Sequence, residues 1–296
     1  MKKLIFVTSK FPFGSGETFI ENEIKYLASA FDKIYIFATE ATDNETIRAV
    51  PNNIHVFPAK PKPITKKDYI PSLFKPLNIK EILSNCLGRH MFNKVSAVCY
   101  LSACVNSSSS HISDFLKMCD VTPEDEVTIY SYWLSTVGMC ALNIKKRLEK
   151  CGKKPKCVSR CHGFDVYADR TETNYLPSQK YQIENFDEIY PCSKSGENYL
   201  KERYPSQKNK ISAKCPLCGG EIKDDKFGWK CQSCGEFNLN YVIAGKQLST
   251  KELEDIIFNG KTDVLKGFTS KAGKKLDARL VFDESTKRIN FSFDKS

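Results

Sequence analysis

The spacing Cys215-x2-Cys218-x12-Cys231-x2-Cys234 constrains this chain more than any other feature. A CxxC pair closes a tight turn that directs two sulfurs at one point, and two such pairs supply the four ligands of a tetrahedral ion. CPLCGG and CQSCG both place glycine after the second cysteine, where the backbone amides must turn towards sulfur. Four sulfur ligands leave no open coordination position, so the expected site is a structural Zn2+ rather than a catalytic one. The alternative is a zinc-derived scaffold that folds without metal. Residues 211–296 are too short a stretch to bury a large core, and an ion would help to hold them.

Upstream of the quartet the pattern is different. KKLIFVTS is a short apolar run, FPFGSGE interrupts it, and Phe19, Ile20, Ile24, Leu27 and Phe31 then recur at helical spacing. KIYIFATE and NIHVFPA read as strands. Residues 60–120 begin as a proline-rich loop and continue as two helices, the second around residues 93–119. Its four consecutive serines fit either a flexible patch or a close helix contact. Alternation then resumes with EVTIYSYW, a helix ending at Gly152, the strand-and-turn KPKCVSRCHGFD, a helix at SQKYQIENF, DEIYPCS, and a helix stopped by Pro205. Repeated strand–helix alternation predicts an α/β fold: a Rossmann-like parallel sheet with helices on both faces.

After Pro205 the texture changes. SQKNKISAK is polar and aperiodic and reads as a linker, which places a boundary near residue 211. Two domains are expected, 1–210 and 211–296, the second a small α+β unit containing the cysteine quartet. Its helix is STKELEDIIFNG, with a Ser or Thr cap and Gly260 at its end, and DARLVFD and RINFSF read as short strands. The nine other cysteines lack metal-like spacing and read as buried thiols. Cys157 and Cys161 lie on one side of a strand, two pleats apart. No apolar run is long enough to span a membrane, and the N-terminal run is too short for a signal-peptide core, so a cytoplasmic location is expected. The net charge is +10, of which +3 falls in residues 211–296. That balance suits an anionic partner such as a nucleotide-sugar, a phospholipid surface or nucleic acid, and it equally suits a solvated basic surface.

CPLCGGEI, WKCQSCGEF and IAGKQLSTKELEDIIFNGKTDVLKGFTSKAGKKLDARLVFD, in that order, resemble the short C-terminal repeat of bacterial type IA topoisomerases of the topoisomerase III kind. The resemblance covers nearly all of residues 213–293. It implies a nucleic-acid-binding accessory rather than a nicking site, with Trp229, Lys230, Lys266, Lys271, Lys274 and Lys275 as the DNA contacts. Lysines supply salt-dependent phosphate affinity and a tryptophan supplies a stacking face. A purely structural lysine face is the competing reading.

FPFGSGETFIENEIKYLA, CHGFDVY and FDEIYPCSKSGENYLKERYP resemble the N-terminal half of GT-B glycosyltransferases, the family-4-like enzymes of exopolysaccharide synthesis. The resemblance implies sugar transfer from a nucleotide-sugar donor to a glycan acceptor, with peripheral membrane contact through a lipid-linked acceptor. It casts Gly14, Gly16, Glu17 and Ser193 as substrate-binding residues and His162 and Asp165 as the catalytic pair. Gly14 and Gly16 permit close backbone approach, and the following helix N-terminus attracts an anion. His162 sits at the carboxyl end of a strand, where open α/β sheets place ligands. The chain departs from that family in one respect: no two glutamates stand in the E-x7-E spacing of the donor-binding half, and no second strand–helix series follows. Three readings stay open: a truncated glycosyltransferase-like protein carrying a zinc module, a nucleic-acid-binding protein acting through the ribbon, and a fusion without an integrated function.

Overall fold

The computed structural model describes residues 1–42, 45–270, 272–283, 286 and 288–293, without the side chains of residues 258 and 259. Six strands form one parallel sheet in the order β3-β2-β1-β4-β5-β6. They are β1 (Lys2–Thr8), β2 (Lys33–Ala38), β3 (Ile54–Pro58), β4 (Glu126–Ser131), β5 (Lys156–Cys161) and β6 (Glu188–Pro191). The central strand explains the run LIFV. Leu4 and Phe6 enter the core on one face while Ile5 and Val7 enter it on the other. A parallel strand covered on both faces has no polar side to show, so its sequence runs apolar instead of alternating.

Helices α1 (Ile20–Ala30), α4 (Met91–Ser109), α5 (Ile112–Met118), α6 (Thr136–Lys150), α8 (Gln179–Asn185) and α9 (Lys194–Arg203) belong to this sheet, with a single-turn helix α7 (Gly163–Val166) directly after β5. Residues 60–120 are more broken than two helices. Short helices α2 (Tyr69–Leu73) and α3 (Pro76–Glu81) precede α4; Pro76 opens α3 and holds Lys75 before it in an extended backbone, which separates the two. The serine run ends α4 as a close contact. Ser108 donates to the Thr39 carbonyl (2.8 Å), and Ser107 accepts from the amide of Lys62 (2.7 Å).

The expected linker is not free. Residues 205–210 form 3-10 turns, and Ile211, 1% exposed, bridges Ile189 in parallel as part of the α/β core. The amides of Ser212 and Lys214 donate to Ile189 and Pro191, so the chain runs along β6 and delivers Cys215 from the sheet's edge. Polar composition signalled a loop here, but hydrogen bonding to an edge strand constrains backbone whatever the side chains.

The C-terminal region is antiparallel. Strands β7 (Ile222–Asp225), β8 (Gly228–Cys231) and β9 (Asn238–Asn240) form one small sheet, and β10 (Val242–Ile243) pairs with β11 (Lys246–Gln247). Helix α10 (Thr250–Asn259) follows, then the sheet β12 (Leu265–Thr269), β13 (Lys275–Asp283) and β14 (Arg288–Ser292). Helix α10 starts at a capping box of Ser249 and Glu252 and stops at Gly260, whose φ of 65° ends the helix in the left-handed conformation. Trp229, Leu253, Ile256 and Phe268 share one core with the knuckle cysteines, and Cys192 of the α/β part joins it. No helix among the described residues is long and apolar enough to cross a membrane.

Candidate metal centre and nucleic-acid interface

The four cysteine sulfurs of the quartet lie within 4.8 Å of one another. Cys215 Sγ is 4.0 Å from Cys234 Sγ, and Cys218 Sγ is 3.5 Å from Cys231 Sγ. A tetrahedral ion with metal–sulfur bonds near 2.3 Å sets its sulfurs roughly 3.8 Å apart, and both separations fall close to that edge. Backbone amides of Leu217, Gly220 and Ser233 donate to the sulfurs of Cys215, Cys218 and Cys231 at 3.4, 3.4 and 3.3 Å. These turns are possible because Gly219 and Gly235 take φ of 72° and 67°. Burial pushes the Cys215 thiol up, and burial likewise raises Cys218 to about 11. At Cys231 burial also acts upwards, but the amides of Cys234 and Ser233 and the neighbouring thiols outweigh it, and its pKa falls to about 7. One divalent cation would stabilise all four thiolates together, so the donor set fits a structural zinc.

The described residues expected to contact nucleic acid fall on two different sheets. Lys266 and Lys275 lie on paired strands of the β12–β13 hairpin and Lys274 in its turn, all exposed. Lys230 lies on β8 in the other sheet, 3.3 Å from Asp225. Lys271 lies outside the described residues. Trp229 requires a correction: it is 1% exposed and packs edge-on against Tyr241, so no ring face is open to a base. On the β8 strand it points into the core, two residues from Phe227, which does not. Phe227 is 59% exposed at the tip of the β7–β8 hairpin. Asp225 accepts from the amides of Phe227 and Gly228 and fixes that tip. The Nζ atoms of Lys226 and Lys230 stand 4.8 and 5.8 Å from the Phe227 ring centroid. The signal was present in DDKFGWK: Asp225 and Gly228 bracket a turn, and Phe227 lies at its tip.

At the carboxyl edge of the parallel sheet, the groups expected to meet a substrate are engaged internally. The Glu17 carboxylate accepts from the amides of Ser9, Lys10 and Phe11 at 3.0, 2.7 and 2.6 Å and from Trp133 Nε1 at 2.6 Å. The amides after β1 are therefore already capped by an anion. Gly14 donates its own amide to the Thr46 carbonyl, and Gly16 is exposed beside it. Asp165 accepts from the amides of His162 and Leu134, tying the ends of β5 and β4 together. His162 is 5% exposed, with Trp133 and Tyr132 rings 4.3 and 4.9 Å from its own. Pro216 and Ile257 of the C-terminal region close the small cavity beside it, about 130 Å3. Burial, and then the Arg160 charge, hold its imidazole well below the usual range, so the ring is neutral. Ser193 caps α9 through the Gly196 amide (2.9 Å) and donates to Glu254 of α10 (2.9 Å).

Two further residues escaped sequence reading. Buried Glu254 accepts from Tyr167 and Ser193 and pairs with Arg170 at 2.8 Å, which pins α10 to the α/β part. Buried Arg160 pairs with Glu23 at 3.0 Å and donates to Tyr130 (2.7 Å) and to the carbonyls of Lys214 and Cys215 (3.4 and 3.3 Å). A guanidinium inside the sheet's core thus supports the backbone of the first metal knuckle.

Fold and site together define an α/β protein whose parallel sheet carries an appended cysteine-ribbon region. Within that region, residues 233–294 match the model of the C-terminal repeat of topoisomerase. The chain is also similar to DNA topoisomerase 1 of Bacillus anthracis, 30% identical over 97 residues, and to DNA topoisomerase 1 of Alkalihalophilus pseudofirmus, 32% identical over 123 residues. These alignments take in 31% and 38% of the chain but only 11% and 17% of the relatives' lengths.

Proposed function

We propose that this protein binds nucleic acid through its C-terminal region, held in shape by a structural zinc. The match of residues 233–294 to a topoisomerase repeat carries this reading, since the relatives are named for DNA. Surface chemistry supports it. The Phe227 tip offers a flat ring beside Lys226 and Lys230, and the β12–β13 hairpin offers Lys266, Lys274 and Lys275 to phosphates. Stacking on an aromatic tip favours single strands, whose bases have open faces. A net charge of +3 over residues 211–296 implies few phosphate contacts and modest affinity.

The test is fluorescence anisotropy of a labelled oligothymidylate with the full, zinc-loaded chain. Binding is expected to weaken as salt rises from about 50 to 200 mM, with a log–log slope near −0.7 per phosphate contacted. Phe227→Ala is expected to lose about 1–3 kcal/mol of affinity with an unchanged melting curve, because the ring is exposed. Salt-independent binding, or none, would overturn the reading.

Sugar transfer by the α/β part is the weaker reading. Its support is the HG-x-D turn at the end of β5 in a sheet of the doubly wound order. Against it stand the Glu17 carboxylate seated on the amides after β1 and the cover of Pro216 and Ile257 over His162. Saturable binding of a nucleotide-sugar, abolished by His162→Ala in a folded chain, would revive it.

A further inference from the structure

A cleft of about 830 Å3 separates the two parts of the molecule. Phe164, Tyr167 and Arg170 from α7 and the turn behind it form one wall, and Lys251, Lys261 and Arg279 of the C-terminal region form the other. Its size is that of a ligand site, and it opens at the carboxyl end of β5, beside the end of the sheet where α/β folds receive ligands. Unlike the groups near Glu17, several of its polar groups are not committed elsewhere.

The charges in the cleft fall into two kinds. Arg170 is held: it pairs with Glu254 at 2.8 Å, and its guanidinium lies 3.7 Å from the Tyr167 ring centroid. Lys251 stands 3.8 Å from Asp255. Lys261 and Arg279, by contrast, have no ion-pair partner among the described residues, and Arg279 Nε is buried without a hydrogen-bond acceptor. A buried guanidinium N–H costs stability until an acceptor reaches it. Phe164, 75% exposed, presents an aromatic ring at the rim, and Asp263 adds a hydrogen-bond acceptor to the lining. Two uncommitted cations, an open aromatic ring and a carboxylate match the parts of a nucleotide: phosphate, base and sugar hydroxyl.

We propose that this cleft binds one nucleotide unit, with its phosphate on Lys261 and Arg279 and its base against Phe164. The unit belongs either to a free nucleoside phosphate or to a nucleic-acid strand, and in the second form the proposal rests on the nucleic-acid reading above. The test uses the full zinc-loaded chain carrying Lys226→Ala and Phe227→Ala, so that the β7–β8 tip does not contribute. Calorimetry is run with uridine monophosphate, with a trinucleotide of thymidylate and with inorganic phosphate. Saturable binding of the mononucleotide supports a free ligand, and binding of the trinucleotide alone supports a strand segment. In either case Lys261→Ala with Arg279→Ala is expected to weaken binding at least tenfold, and Phe164→Ala about fivefold. The exposed Phe164 position provides the check should the double variant fold poorly. No saturable binding, inorganic phosphate binding as well as either nucleotide, or Phe164→Ala and a folded double variant both binding as the parent does would each overturn the proposal. The tip reading fails separately, if long-strand binding ignores Phe227→Ala in the parent chain.

Discussion

The α/β part and the C-terminal part hold themselves together by opposite means, and they leave different groups free. In the α/β part, strands such as β1 bury alternate residues on two faces, and the apolar chain supplies the core. In the C-terminal part the strands are two to nine residues long, and four cysteine sulfurs gather at one point beside its apolar side chains. The polar groups follow the same division. At the sheet's carboxyl edge Glu17, Asp165 and Ser193 all bond to the protein itself. In the C-terminal part Lys226, Lys266 and Lys274 face solvent. Binding chemistry belongs where donors are uncommitted, so this contrast points to the C-terminal part and the cleft beside it.

The strongest challenge to that contrast is removal of the metal. Structural zinc in small ribbons contributes on the order of 10 kcal/mol of folding free energy. Cys231→Ser is expected to lower zinc from one per chain to none, measured by elemental mass spectrometry. Trypsin should then cut at Lys223, Lys226 and Lys230, while the six-stranded sheet keeps its circular dichroism. A zinc-free chain that still resists trypsin would mean that the ribbon folds on its apolar core alone. Unfolding of the sheet together with the ribbon would mean that the Arg160 bonds to Lys214 and Cys215 make the two parts one cooperative unit.

A smaller effect is expected at the seam. Glu254→Ala strands Tyr167, Ser193 and Arg170 without their shared acceptor. Removing one partner of a buried ion pair costs about 3–5 kcal/mol. Arg170 is a third exposed and can turn to water, so about 2–3 kcal/mol is expected here. Urea unfolding followed by tryptophan fluorescence reads it, with Trp133 reporting the α/β part and Trp229 the ribbon. Two separated transitions in the variant, against one in the parent, would place the coupling in this contact. An unchanged midpoint would show that α10 is held by its apolar face alone.

The two parts also differed in how far they could be read from sequence. The strands of the parallel sheet were legible because burial on both faces leaves an uninterrupted apolar run, as in LIFV. The cysteine cluster was legible because its members are near neighbours: CxxC spacing is local geometry. The Ser cap of α10 and its stop at Gly260 were legible for the same reason. Contacts made at long range were not. Glu254 lies 61 residues from Ser193, and Arg160 lies 137 from Glu23, so nothing around either residue signals that it is buried. Trp229 and Phe227 differ by two positions, and only the hairpin's turn decides which of them faces water. A stacking residue chosen by ring size alone falls on the wrong one.

The smallest effect concerns Asp165, and it examines the claim that the sheet's edge is self-satisfied. Burial pushes its carboxyl up to about 7, with the amides of His162 and Leu134 pulling the other way. The ordinary value, near 3.8, applies to the unfolded chain. Between those limits the native state holds a proton that the unfolded state has released. This group's contribution to stability is therefore fully present below about pH 4 and is lost as pH rises through about 7. The slope approaches 1.4 kcal/mol per pH unit inside the window. His162 acts in the opposite sense, because its depressed pKa lets the unfolded state take up the proton as pH falls below about 6.5. The comparison that isolates Asp165 is therefore the parent against Asp165→Asn, whose amide oxygen still accepts from one of the two backbone amides. From pH 6 to pH 5 the parent should gain about 1 kcal/mol relative to the variant, read as a shift in urea midpoint. Equal shifts in both chains would mean that Asp165 is ionised in the fold. It would then be a buried anion held by the amides of His162 and Leu134, and the edge would be satisfied by a charge rather than by a neutral carboxyl.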